Sequence, residues 1–346
     1  MIPSMSTSAP KGTTLSCCSR VLLVLWIILS LALPLASVSA QEKATAQRKL
    51  ESVTFGLSAK HVLNLPIYLA QRHGIFESEG FELKAITTKT GTAIAALVSG
   101  DLDYITAFNS GLSAALGGAP LMAAYASTDK SPLYLISRPD IKDAKALRGA
   151  IIGHGGSRGS HYHATVAMVK YLGLDAEKDV KLISTIDVTQ GLTALFSGAV
   201  GAATLSPPYD SIAVRKGFNR LVSGPEILPR FVENGLVVRR AKLRDNPDQV
   251  RRMLRALVRG LHYGIDRPSD AIALIQKDWN LDRETAQEAY DAANPTYNLK
   301  GEGGDEIIAA AIKRAQQDAK IASSNFAPKD YVDWTLIRTV QRELKR

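Results

Sequence analysis

ALVSGDLDYIT at Ala96–Thr106 and ALFSGAVGAAT at Ala194–Thr204 are the two stretches of sequence that decide the fold. Each reads as the apolar end of a helix, then a Ser-Gly stop, then a short strand. Gly100 and Gly198 suit the left-handed residue that closes a helix. A pattern as short as A-L-x-S-G can recur by chance, but its shared place within each unit favours a true repeat. The repeat therefore predicts two similar α/β units.

Strands and helices alternate on both sides of the repeat, which predicts mostly parallel sheets covered by helices. Besides the strand of the repeat, four strands are predicted before residue 138, at Val53–Leu57, Phe81–Ile86, Leu121–Ala126 and Leu133–Ser137. Three more follow, at Ala150–Gly153, Val180–Ser184 and Phe218–Val222. Gly235–Val238 reads as a strand that returns to the first unit, and the pattern after it is helical. Two crossings between two α/β lobes give a hinge and a cleft. Such a cleft binds ligands at the carboxyl ends of strands.

The predicted domain organisation has four parts. Residues 1–40 are a signal peptide and residues 41–50 a polar leader. Residues 51–137 together with 233–346 form lobe 1 and the C-terminal helices, and residues 138–232 form lobe 2.

The first forty residues have the three parts of an export signal in the right order. A basic, acid-free segment precedes the apolar run from Val21 to about Ala36, and small residues surround a cleavage site near Ala40. An uncleaved membrane anchor is the alternative, but Pro34 and the small residues at the exit favour cleavage. The only cysteines, Cys17 and Cys18, precede the apolar run, so the exported chain would contain none. Disulfides, thiol catalysis and cysteine metal sites are then excluded.

Length and composition are those of a two-lobed globular protein. The chain has 346 residues, is 46% hydrophobic and 22% charged, and carries a formal net charge of +9. This excess of cations fits a binder of anions. The densest basic patch is Arg251, Arg252, Arg255 and Arg259, on a helix whose other face is apolar. We interpret that patch as a solvated helix face and predict no nucleic-acid partner.

The best candidate ligand site is the loop His154–Ser160, which leads into a predicted helix. Glycines allow close approach of the backbone, and the free N–H groups at a helix start favour anions. Arg158 can add a bidentate contact to a carboxylate, sulfonate or phosphate. An ordinary flexible loop and a solvent-facing arginine are the alternatives. The residues predicted from this segment to bind ligand are Gly156, Ser157, Arg158, Gly159, Ser160 and His161.

Other candidates follow predicted strand ends, where the cleft should lie. They are His61, Asn64, Thr90, Gly91, Thr92, Asn109, Ser110, Ser127, Thr128, Pro207 and Tyr209. Thr90 and Thr92 have helix capping as a sufficient alternative role. Tyr209 can place its ring over a ligand, although core packing explains it equally well.

Three histidines lie within ten residues, at His154, His161 and His163, so a metal site must be considered. His161 and His163 are two residues apart on a predicted helix and do not share a face. No acid stands close in sequence. We therefore expect hydrogen-bonding or surface histidines, no bound metal and no cofactor.

The sequence resembles the nitrate/sulfonate/taurine-type ABC substrate-binding proteins, which share a fold with thiamine-pyrimidine synthases. The resemblance spans roughly residues 51–265. It rests on Leu65–Ala70 with His73–Phe76 and Gly80-Phe81, on Ala96–Asp103, and on Leu195–Val200 with Ser206–Pro208. It implies a type II periplasmic-binding-protein fold, hinge closure on the ligand and delivery to a membrane permease. Gly201, where the family often has an acid, and the histidine-rich loop depart from the pattern, and the substrate does not carry over.

The expected function is ligand capture without chemistry, by a monomer exported to the periplasm that serves an ABC permease in the inner membrane. An enzyme of the thiamine-pyrimidine-synthase type is one alternative. It predicts a cytosolic chain and a cysteine-rich motif, and the sequence has an export signal and no cysteine beyond it. A periplasmic sensor that signals to a membrane kinase is the other alternative, and lobe architecture does not separate it from a transport receptor. Alkylsulfonates, taurine, nitrate, aromatic carboxylates and pyrimidine precursors are all candidate ligands.

Overall fold

The computed structural model describes residues 49–57, 60–156, 159–228, 230, 232–319 and 326–345. The predicted signal peptide with both cysteines, the cleavage site and the leader up to residue 48 lie outside these ranges, as do Ser157 and Arg158. Leu50–Arg346 forms one compact unit. Within the described ranges, the longest apolar helices fall short of what a bilayer crossing requires.

In the part of the chain that the structure describes, ten strands form two sheets of five. They are β1 Glu51–Leu57, β2 Phe81–Thr87, β3 Tyr104–Ile105, β4 Leu121–Ala126, β5 Tyr134–Ser137, β6 Ile151–Gly155, β7 Lys181–Thr185, β8 Ala202–Leu205, β9 Asn219–Ser223 and β10 Gly235–Arg239.

Helices cover both sheets and make up the C-terminal third of the chain. The α-helices of the described residues are α1 Leu65–Arg72, α2 Ile75–Ser78, α3 Thr90–Ser99, α4 Phe108–Leu116, α5 Ala144–Leu147, α6 Ser160–Tyr171, α7 Val188–Phe196, α8 Tyr209–Arg215, α9 Gly224–Ile227, α10 Arg240–Asp245, α11 Pro247–Asp266, α12 Pro268–Trp279, α13 Arg283–Ala293, α14 Asp305–Ala319 and α15 Thr335–Leu344. Short 3₁₀ helices lie at Val62–Asn64, Asn294–Thr296 and Pro328–Asp330.

The two sheets have the same plan. The strand order is β2-β1-β3-β10-β4 in the first sheet and β7-β6-β8-β5-β9 in the second. Four strands of each sheet run in the same direction, and the strand in the fourth position, β10 or β5, runs antiparallel to both of its neighbours. The strands of the sequence repeat, β3 and β8, occupy equivalent third positions. Gly100 and Gly198 have left-handed φ angles of 100° and 76°, as the repeat predicts.

The antiparallel strand of each sheet is the first strand after the chain crosses from the other lobe. β10 returns to the first sheet, and β5 enters the second sheet, where it pairs with β8 and β9. The assignment of Leu133–Ser137 to lobe 1 was therefore wrong. All four residues of β5 are buried, so their apolar pattern predicts a core strand in either lobe, and only pairing with distant strands decides which.

The arginine-rich face of α11 is half-buried and paired with acids, which corrects its interpretation as a solvated face. Arg255 and Arg259 both contact the buried carboxylate of Glu79, at 2.6 and 2.8 Å. Burial alone would raise the pKa of Glu79, but the hydrogen bonds from these two guanidinium groups outweigh it and lower that pKa. The arginines therefore attach α11 to lobe 1.

The crossing of α11 over α1 depends on a glycine. A Cβ added at Gly260 would lie 2.3 Å from the carbonyl oxygen of Pro66, so the backbones of the two helices are nearly in contact. We expect Gly260→Val to lower the free energy of unfolding by about 1–3 kcal/mol or more, because the overpacked helices must separate. Gly91→Ala is the matched control. A Cβ there meets nothing within 4 Å, and alanine in a helix should stabilise by about 0.5–1 kcal/mol. Urea unfolding of both variants measures the difference, and equal stability would contradict the close crossing.

Candidate functional site

A cavity of about 50 Å3 lies between the two sheets, with room for about four water molecules. Its wall follows the carboxyl ends of the parallel strands, as the topology requires. Lobe 1 supplies His61, Thr90, Ala107, Asn109 and Ser110. Lobe 2 supplies Gly155, Gly156, Gly159, Ser160, His161, Ile186, Asp187 and Val188. The second crossing supplies Glu233 and Asn234.

Four helices begin at this cavity, two from each lobe. α3 and α4 start at Thr90 and Phe108, and α6 and α7 start at Ser160 and Val188. Of the four residues that precede these helices, only Asp187 caps its helix with a side chain, accepting from the Gln190 amide at 2.9 Å. The unpaired N–H groups of helix starts carry partial positive charge. Their convergence makes the cavity favourable for an anionic group.

The loop between β6 and α6 brings backbone to the cavity. Gly156 has a φ of 71°, a left-handed conformation that suits glycine. A Cβ at Gly156 would lie 3.7 Å from the Thr90 hydroxyl of the opposite lobe. The two lobes therefore approach each other across the mouth of the site.

The second crossing forms the back of the cavity and is fixed by polar contacts on both sides. The fully buried Thr128 hydroxyl, on the first crossing, accepts hydrogen bonds from the backbone N–H groups of Glu233 and Asn234, at 3.2 and 2.9 Å. The side-chain amide of Asn234 donates to Asn64 Oδ1 at 2.8 Å. That of Asn109 donates to the Val232 carbonyl at 2.6 Å. These contacts hold Glu233 in place.

Burial controls the ionisation of three cavity side chains. It lowers the pKa of His61 to about 3 and that of His161 to about 4, with a smaller contribution from a second histidine in each case. It raises the pKa of Glu233 to about 7, an effect that the nearby Ser160 and Ser131 hydroxyls oppose. Glu233 Oε1 lies 3.6 Å from His161 Nδ1. Near neutral pH both histidines are uncharged, and Glu233 is close to its titration midpoint.

The structure brings eight of the predicted ligand residues to the cavity wall, and their binding of ligand stays a prediction. They are His61, Thr90, Asn109, Ser110, Gly156, Gly159, Ser160 and His161. Ser157 and Arg158 lie outside the described residues. Among the residues that the structure describes, no group of three His, Cys, Asp or Glu side chains is placed to hold a metal ion.

The other predicted residues are not part of the cavity wall. Asn64 and Thr128 lie behind it and hold the second crossing, while Gly91 and Thr92 lie further along α3. Ser127 is half-buried and contacts the second crossing. Its amide, rather than its side chain, makes the contact, donating to the Asn234 carbonyl at 2.9 Å.

Pro207 and Tyr209 connect the lobes beside the cavity. The Pro207 carbonyl accepts from the Val62 amide at 3.3 Å. The Tyr209 hydroxyl donates to the Lys60 carbonyl at 2.9 Å and accepts from Trp279 Nε1 at 3.2 Å. Tyr209 is not part of the cavity wall, and the placement of its ring over a ligand stays a prediction.

Sequence reasoning missed Asp187, Glu233 and Asn234. Asp187 follows β7 as Thr90 follows β2, so the repeat offered a signal for it. Glu233 and Asn234 precede a strand rather than follow one. They reach the cavity because β10 runs antiparallel to its neighbours, and no local pattern reveals that direction.

Comparison with known proteins places this geometry in a family. The sequence profile described as NMT1/THI5 like matches residues 63–271. The chain is 26% identical over 280 residues to the riboflavin-binding protein RibY of Chloroflexus aurantiacus, covering 74% of this chain and 77% of that protein. It is 22% identical over 333 residues to a putative aliphatic sulfonates-binding protein of Bacillus subtilis, covering 92% and 96%.

Solved structures share the fold. The alkanesulfonate-binding protein SsuA of Xanthomonas axonopodis pv. citri, bound to MOPS, superposes with a TM-score of 0.70 at 14% identity, covering 82% of this chain and 98% of that one. The desulfurization enzyme DSZB superposes with a TM-score of 0.61 at 14% identity, covering 85% and 99%. The predicted resemblance and the periplasmic-binding-protein fold of two α/β lobes are confirmed.

Proposed function

The chain belongs to the NMT1/THI5 like family, and on that basis we propose that it is an extracytoplasmic solute-binding protein that captures a small, anionic organic ligand for an ABC importer. The observation that carries the proposal is the convergence of four helix starts from two lobes on one cavity. An anionic group of the ligand would accept hydrogen bonds from these backbone N–H groups, as anions do at helix starts elsewhere.

Capture requires the lobes to move. The cavity of about 50 Å3 is much smaller than the roughly 300–1,000 Å3 of pockets for drug-sized ligands. Its walls at His61, Asn109, Glu233 and Asn234 are buried. A ligand would therefore enter when the lobes separate at the two crossings and would be enclosed when they close. For the two lobes that move, we propose the limits predicted from the sequence, except that β5 belongs to lobe 2.

Export and the partner are supported by the relatives. A predicted export signal precedes the described residues, and one structural neighbour is the ligand-binding component of an ABC-type import system from Staphylococcus aureus. We propose a periplasmic location and a permease in the inner membrane as partner. A sensor of the same fold would bind its ligand in the same way, and neighbouring permease and ATPase genes would favour transport.

The alternative is an enzyme, because the desulfurization enzyme DSZB has the same fold. The two relatives at 26% and 22% identity are named as binding proteins, which favours capture without chemistry. Incubating the protein with each ligand that binds, followed by mass spectrometry of the ligand, separates the two. Recovery of unaltered ligand is expected, and covalent turnover would favour the enzyme.

A thermal-shift screen tests ligand capture directly. The panel is alkylsulfonates, taurine, nitrate, aromatic carboxylates and the uncharged riboflavin. An anionic ligand present at 100 times its Kd should stabilise the protein by about 2.7 kcal/mol, which raises Tm by about 5 °C. A shift with riboflavin alone would contradict the anionic part of the proposal, and no shift with any compound would contradict the proposal itself.

We propose that Arg158 adds a charge-assisted contact to the anionic group. Arg158→Ala should weaken binding of an anionic ligand about tenfold or more, since hydrogen bonds to charged groups contribute about 1.5–3 kcal/mol. Arg148→Ala is the control, because Arg148 is exposed and pairs with Asp179 outside the cavity wall. Titration calorimetry gives both affinities. Equal affinities for the two variants would remove Arg158 from the site.

A further inference from the structure

Glu233 is an acidic side chain inside a cavity whose other features favour an anion. The residue is 7% exposed and lines the cavity. Its Oε2 atom has no hydrogen-bond partner in the described structure, and the nearby Ser131 and Ser160 hydroxyls, which lower the pKa of the carboxyl, carry no charge. A buried carboxylate without a charged partner costs free energy. Because this side chain lines the ligand cavity, its location indicates that the ligand carries a group that donates hydrogen bonds to the carboxylate.

The groups that face Glu233 do not neutralise it. Among the described residues, its only ion-pair partner within 4.0 Å is His161 at 3.6 Å, and burial keeps that histidine uncharged near neutral pH by lowering its pKa to about 4. His61, on the lobe 1 side, is uncharged for the same reason. Asp187 is the other acid of the wall, and one of its carboxylate oxygens is engaged by the start of α7.

The described cavity wall contains no lysine and no arginine. Among the described residues, the positive character of the site therefore comes from backbone N–H groups at the helix starts, to which the proposed contact from Arg158 would add. The negative character comes from one unsatisfied carboxylate on the second crossing. The carboxylate lies beside the start of α6, 3.6 Å from His161, while the starts of α3, α4 and α7 come from other segments of the wall.

From this arrangement we infer that the ligand is a small zwitterion, whose anionic group binds at the helix starts and whose ammonium group binds Glu233. This inference rests on the proposed function and specifies the ligand class of the same site. An ammonium group supplies N–H donors to the unsatisfied oxygen and the positive charge that the carboxylate lacks. A simple anion supplies neither and would lie near a carboxylate of the same sign.

Ammonium binding links affinity to pH. The pair requires ionised Glu233, and burial raises the pKa of that carboxyl to about 7 in the empty site. Below that pKa, a fall of one pH unit lowers the fraction of Glu233 that is ionised about tenfold. A zwitterion should therefore bind about tenfold more weakly at pH 6 than at pH 8. The pKa values of about 3 and 4 place His61 and His161 outside this range.

The test is a pair of ligands that differ only in the amino group. Taurine and ethanesulfonate form one pair, and β-alanine and propionate form a second. Titration calorimetry at pH 8 should show the amino member of at least one pair binding at least about tenfold more tightly, the range of a charge-assisted hydrogen bond. Glu233→Gln should remove this preference together with the pH dependence. Glu82→Gln, which changes an exposed residue of β2, should keep both.

The outcomes separate this inference from the proposed function. Equal binding of taurine and ethanesulfonate, or a preference that survives in folded Glu233→Gln, would overturn the zwitterion and leave anion capture standing. Failure of both pairs to bind would also overturn it, while the wider panel would still decide anion capture. Circular dichroism of Glu233→Gln shows whether the variant is folded. If it is not, the pH profile of the unaltered protein decides, and a flat profile for the amino ligand contradicts the inference.

Discussion

A disulfide between positions 90 and 156 should abolish ligand entry. In the double variant Thr90→Cys and Gly156→Cys, the new sulfurs would lie across the mouth of the cavity, because a Cβ at position 156 is 3.7 Å from the Thr90 hydroxyl. The left-handed φ of 71° at Gly156 makes the cysteine there strained by about 1–2 kcal/mol, which the surrounding structure must hold. We expect ligand association to slow at least about 100-fold under oxidising conditions, because association depends on the lobes opening.

Stopped-flow fluorescence or calorimetry with and without dithiothreitol measures this effect. The predicted exported chain has no cysteine of its own, so the introduced pair would be alone. Each single cysteine variant is a control, and its association rate should be the same with and without reductant. Unchanged binding by the fully oxidised double variant would contradict a cavity that is entered by separation of the lobes.

Replacing Thr128 with valine should cause the largest loss of stability among the substitutions considered. Valine keeps the shape of the side chain but removes the oxygen that accepts from the N–H groups of Glu233 and Asn234. Each of the two buried donors left unpaired costs about 1–3 kcal/mol, so the free energy of unfolding should fall by about 2–6 kcal/mol.

Thr128→Ser is the matched control because it keeps the hydroxyl oxygen, and it should cost no more than about 1.5 kcal/mol for the lost methyl group. Chemical denaturation of both variants gives the comparison. If valine and serine are equally stable, the hydroxyl does not hold the two crossings together.

Much of the fold could be predicted because its signals are local. A Ser-Gly stop after an apolar helix end marks β3 and β8 at equivalent places, and glycines before a helix mark the cavity side of lobe 2. Such features depend on a few neighbouring residues and on the rule that parallel strands present their carboxyl ends at one edge. Eight cavity residues followed from these local features and that rule together.

The errors arose where a role depends on distant parts of the chain. The apolar run of β5 is equally suited to either sheet, and pairing with β8 and β9 places it in lobe 2. Glu233 reaches the cavity through the antiparallel direction of β10, and its local sequence resembles an ordinary turn.

Hydrogen–deuterium exchange with and without a bound ligand tests the central claim most directly. If the ligand is enclosed between the lobes, binding will slow exchange together at the start of α3, at residues 159–161 and at residues 232–234, which belong to both lobes and the crossing between them. Protection confined to one lobe, or located away from these segments, would contradict capture of the ligand in this cavity.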